Sequence, residues 1–70
     1  MKVSLKALRV NASLSQEEAA TRIGTTSRTI QNWEKYVTFP SANQLIKICN
    51  VYNCSLNDIY LPDKLAKSEE

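Results

Sequence analysis

The stretch that decides the fold runs from Leu14 to Lys35 and reads LSQEEAATRIGTTSRTIQNWEK. Ser15-Gln16-Glu17-Glu18 is a capping box: the Ser15 hydroxyl can accept the third helical N–H while Glu18 reaches back to the Ser15 N–H. Leu14 before the cap and Ala19 after it are placed to form a hydrophobic staple. Ala19, Ala20 and Ile23 mark the buried stripe of this helix. Gly24 ends it, because a residue without Cβ takes the left-handed conformation at least cost. A second helix follows after Thr25, with Thr26 as N-cap, and runs from Ser27 to about Lys35. Ile30 and Trp33 lie three apart and point inward, which leaves Ser27, Arg28, Gln31 and Asn32 outward. The spacing of Trp33 from Ile30 makes its ring a core residue rather than an exposed stacking platform.

Outward from this unit, a helix is expected over Ser4–Asn11, with Leu5 and Leu8 on one face among Lys2, Lys6 and Arg9. Tyr36 to Pro40 form a loop, and Pro40 holds Phe39 extended. Ser41-Ala42-Asn43-Gln44 is a second capping box. After it Leu45, Ile48, Cys49 and Tyr52 recur at i, i+3, i+4 and i+7, the strongest helical periodicity in the chain. Asn53 is a suitable left-handed cap. Ser55 to Asp58 open a short fifth helix with Leu56, Ile59 and Tyr60 as its apolar residues, and Pro62 stops it. Residues 1–62 therefore read as one domain and residues 63–70 as a polar tail or the start of a linker.

Composition narrows the function classes. Seventy residues hold one domain at most, and a single Gly with two Pro favours helices over a turn-rich sheet. Residues 1–35 carry six basic against three acidic side chains, whereas residues 36–70 carry three against four, so the mild positive charge lies in the first half. No apolar run has the roughly 18–20 residues of a membrane span, and the N-terminus lacks the apolar stretch of a signal peptide. The chain reads as cytoplasmic, with reduced thiols. Cys49 and Cys54 have no further Cys, and the chain has no His, so neither a zinc site nor any other metal site is expected and both thiols read as core packing. Without His, and without a carboxylate pair in a cleft, catalysis is not expected. No cofactor motif or small-molecule substrate site is present.

Two short helices joined by a tight turn at Gly24 cross steeply, and Ala20 supplies the small residue such a crossing needs. The outer face of the second then stands free, with short polar side chains at its N-terminal end, a shape that enters a DNA major groove. The stretch from Leu14 to Lys35 resembles the helix-turn-helix of lambdoid phage repressors and Cro proteins, and of the related bacterial regulators of the xenobiotic-response-element type. The Leu14-Ser15-Gln16 entry, Ala20, Gly24, Ile30 and Trp33-Glu34 carry the likeness. Pro40-Ser41, Leu45 and Ile48, with the run Cys54 to Ile59, resemble the later helices, so the match covers about residues 4–61.

The resemblance implies an all-α, compact, five-helix lambda-repressor-like domain that reads double-stranded DNA with its second and third helices. It implies base contacts from Thr26, Ser27, Arg28 and Asn32. Arg28 is placed for a bidentate contact to guanine worth about 1–3 kcal/mol of discrimination. Phosphate contacts would come from Gln16, Lys35, Tyr36 and Thr38, and Gln16 would also brace a neighbouring recognition side chain. Arg9 and Glu34 would form an ion pair tying the first helix to the third. Ile59, Tyr60 and Leu61 lie where subunits of Cro-like proteins meet, which implies a homodimer at least on DNA, on a two-fold operator with half-sites about 10 bp apart. Tyr36 departs from the pattern, because the family often has Gly there and a left-handed Tyr is costly. The loop Val37–Phe39 is also poor in Lys and Arg, which implies a modest affinity per monomer. The chain reads as either a complete Cro-like repressor or the N-terminal part of a longer one. The alternative is a protein-interaction module built on the same fold without DNA readout.

Overall fold

The computed structural model describes residues 2–62; the polar tail expected over 63–70 lies outside the described residues. Among the described residues there are four α-helices: α1 Leu5–Asn11, α2 Gln16–Ile23, α3 Ser27–Glu34 and α4 Ala42–Tyr52. Each starts where a short polar side chain satisfies an otherwise orphaned backbone N–H. Ser4 caps Ala7, Ser15 caps Glu18, Thr26 caps Thr29 and Ser41 caps Gln44. Both capping boxes are closed reciprocally, by Glu18 onto Ser15 and by Gln44 onto Ser41. Two helices end on left-handed residues, α2 at Gly24 (φ 93°) and α4 at Asn53 (φ 56°).

The fifth helix expected after Ser55 is a single 3-10 turn, Leu56–Asp58. A competing long-range pairing shortens it. Val3 and Ile59 form a parallel bridge, with the Val3 N–H donating to the Asp58 carbonyl at 2.7 Å and the Tyr60 N–H donating to the Val3 carbonyl at 2.9 Å. Once Ile59 is extended to pair with the N-terminal segment, it can no longer continue a helix.

The core is one cluster of Leu5, Leu8, Leu14, Ala19, Ala20, Ile23, Ile30, Trp33, Ile48, Tyr52 and Ile59. α2 lies at its centre, packed against both α3 and α4. Ala19 is fully buried and Ala20 nearly so, so the neighbouring helices approach the α2 backbone closely. Trp33 is 4% exposed, which makes its indole part of the foundation on which α3 rests. Cys49 and Cys54, expected as core residues, are only half-buried and flank the cluster. Cys49 stands in the last turn of α4 and Cys54 follows directly after its cap, Asn53. Burial still pushes the Cys54 thiol up to about 11.

Candidate nucleic-acid interface

The turn between α2 and α3 is fixed by backbone bonds that need Gly24. Its N–H and that of Thr25 both donate to the Ala20 carbonyl, at 2.8 and 2.9 Å, and this closure places Gly24 in the left-handed region. α3 then starts at Thr26. The Thr26 hydroxyl accepts the Thr29 N–H at 3.3 Å and lies 3.0 Å from the Thr29 hydroxyl. It is thus engaged in capping even though the residue is exposed.

Along α3 the inward residues Ile30 and Trp33 are buried. Arg28 is exposed, while Ser27, Gln31 and Asn32 are partly exposed. Among the described residues the side chains of Ser27, Arg28, Gln31 and Asn32 make no hydrogen bond or ion pair within the protein. The outer face of α3 is therefore a row of one cation and three uncommitted polar groups on a short helix pinned from behind.

A polar network ties the base of this helix to the rest of the domain. The Arg9 Nε donates to Glu34 Oε2 at 2.6 Å, and Arg9 Nη1 donates to the Leu14 carbonyl at 2.8 Å. The two side chains are only 10% and 6% exposed. Gln16 Nε2 donates to the other Glu34 oxygen at 3.1 Å. α1, the entry to α2 and the end of α3 thus converge on one carboxylate. The hydrogen bond that Arg9 donates to Glu34 raises the Arg9 pKa above its ordinary value, more than offsetting the cost of burial. The described side-chain partner of Gln16 is Glu34 and not a residue of the outer face.

Beyond Glu34 the chain leaves α3 through Lys35, the C-cap, and Tyr36, whose φ is +60°. The left-handed Tyr is accommodated by backbone bonds on either side. Its N–H donates to the Trp33 carbonyl at 3.1 Å, and the Val37 N–H donates to the Asn32 carbonyl at 2.9 Å. The Tyr36 ring packs edge-on to Tyr60, with centroids 6.1 Å apart, and beside Phe39 at 6.3 Å. Its hydroxyl donates to the Tyr60 carbonyl at 3.3 Å, and partial burial raises its pKa. Lys35 and Thr38 are exposed next to it.

The helix-turn-helix family matches residues 5–59 of the chain. The protein belongs to the helix-turn-helix family, of the Cro/C1 type. An uncharacterized HTH-type transcriptional regulator of Archaeoglobus fulgidus is 34% identical over 64 residues, which are 91% of this chain and 90% of that relative. The HTH-type transcriptional regulator ImmR of Bacillus subtilis is 30% identical over 66 residues, which are 94% of this chain and 52% of ImmR. The chain thus spans about half the length of ImmR.

As a member of this helix-turn-helix family it is a DNA-binding regulator rather than an enzyme. Among the described residues no helix is long and apolar enough to cross a membrane. Ile59, expected with Tyr60 and Leu61 at a subunit contact, is instead 4% exposed and belongs to the core. The Val3 bridge faces it inward, whereas Tyr60 is exposed and Leu61 half-buried. The Thr29 hydroxyl is paired with the Thr26 cap, a contact that the spacing of a Thr three positions after an N-cap Thr permits.

Proposed function

We propose that this helix-turn-helix protein is a repressor-type regulator that binds a two-fold operator as a homodimer, with α3 in the major groove. The observation that carries the reading is the uncommitted outer face of α3, held at a fixed angle by Ile30 and Trp33. In this reading Arg28 contacts guanine, Ser27 and Asn32 read neighbouring base edges, and Thr26 joins them at the start of the helix. Thr26 has its hydroxyl occupied by the cap, so its base contact is through its methyl group or the remaining lone pair. Gln16, Lys35, Tyr36 and Thr38 flank that face and contact phosphates. For Tyr36 the phosphate contact requires the hydroxyl to leave the Tyr60 carbonyl. Tyr60 and Leu61, without Ile59, form the subunit contact.

The test is selection of bound duplexes from a random pool. Recovered sites with two symmetric half-sites about 10 bp apart support the reading. A domain that enriches no sequence, and whose duplex affinity is negligible even at low salt, is a protein-interaction module instead. A DNA reader must lose affinity steeply between about 50 and 200 mM salt.

A further inference from the structure

Gln16 is the first residue of α2 and is half-buried, and its amide is held by Glu34 at 3.1 Å. A carboxylate has no hydrogen to give, so the amide must turn its nitrogen toward Glu34 and its oxygen away. One Nε2 hydrogen is used by Glu34. The other is the side-chain donor left for an outside acceptor. Glu34 is itself fixed from the opposite side by Arg9, through Nε at 2.6 Å and Nη2 at 3.4 Å, and Arg9 is anchored on the Leu14 carbonyl. The guanidinium neutralises the carboxylate, so the network offers a neutral, oriented amide rather than a negative charge that would repel a phosphate.

We propose that Glu34 is a positioning residue for DNA binding: by holding one amide hydrogen of Gln16 it aims the second at the phosphate backbone, and so joins the Arg9 ion pair to the phosphate contact. This rests on the reading that Gln16 meets a phosphate. Glu34 touches no DNA in this arrangement. Its effect on binding passes through Gln16.

A double-mutant cycle tests it, using a random-sequence duplex and fluorescence anisotropy at low salt, since phosphate contacts do not depend on sequence. Gln16→Ala weakens binding about fivefold or more in the wild-type background and less than about twofold in a background carrying Arg9→Met with Glu34→Leu, which removes the acceptor of the Gln16 amide without stranding a charge. Any general change in affinity from removing the two charges cancels in the cycle. A role of Glu34 confined to stability leaves the loss from Gln16→Ala equal in the two backgrounds, and equal losses overturn the proposal. If Gln16→Ala has no effect in the wild-type background, the phosphate reading of Gln16 fails and the proposal with it. A second measurement needs no substitution. In the unbound protein the side-chain amide of Gln16 exchanges with solvent more slowly than that of Gln31, which has no partner among the described residues. Equal exchange rates contradict the fixed orientation.

Discussion

Replacing Arg9 by Met isolates the energetics of the network beneath α3. The Arg9 side chain is 10% exposed and that of Glu34 6%, so water screens the pair weakly. Arg9→Met leaves the Glu34 carboxylate with the Gln16 amide as its described partner, and the Leu14 carbonyl loses a donor at 2.8 Å. Stranding one member of a buried pair costs about 3–5 kcal/mol. A 70-residue domain has a total stability of only about 3.5–10 kcal/mol, so the variant is close to unfolding at room temperature. Replacing both partners, as in Arg9→Met with Glu34→Leu, removes the desolvated charges together and returns the domain to within about 1 kcal/mol of the wild type. The assay is urea denaturation followed by circular dichroism, comparing midpoints at constant slope. A loss under about 1 kcal/mol for Arg9→Met, the value of an exposed pair, refutes the assignment of this network as a buried anchor.

Other outcomes follow from the same geometry. Trp33→Ala empties the space under α3 and destabilises by about 3–5 kcal/mol, read from the same denaturation curves. Gly24→Ala costs about 1–2 kcal/mol through backbone strain alone, because φ is +93° and nothing lies within 4 Å of an added Cβ; a cost well above that range points to a clash. Arg28→Ala abolishes preference for the selected operator over random duplex in competition binding while leaving helical circular dichroism unchanged. Stability falls at both ends of the pH scale in thermal melts. Glu18 and Asp58 are held below their ordinary values by the N–H groups they cap, so their contribution is present above about pH 4.5 and is lost as they protonate. Cys54 is raised from 9.0 to about 11 and Tyr52 from 10.0 to about 12, both chiefly by burial. Their contribution is complete below pH 9 and is lost as pH rises toward those values.

The parts of the fold legible in the sequence are those decided within one turn of helix. Ser15 with Glu18, Ser41 with Gln44, Gly24 and Asn53 each satisfy or release backbone groups a few residues away, and such bonds leave a local pattern. The last helix misleads because its fate depends on Val3, more than fifty positions earlier. The run Leu56, Ile59 and Tyr60 has apolar residues enough for a helix, but local spacing carries no trace of the bridge that extends Ile59. The same limit applies to Gln16. Its place at the start of α2 is written in the capping box, whereas its bond to Glu34 arises only once α2 and α3 have crossed. Tyr36 lies between these cases. A non-glycine residue where the chain turns out of α3 signals strain, and the structure places that strain at φ +60°, beside rings from Phe39 and Tyr60.

Backbone amide shifts measured by NMR as a random-sequence duplex is added give the most direct view of where DNA lies. The largest changes are expected on Ser27, Arg28 and Asn32 and at the start of α2 around Gln16, with little change at Val10, Asn50 and Val51. Changes centred on that latter group, or none at all at low salt, contradict this placement of DNA.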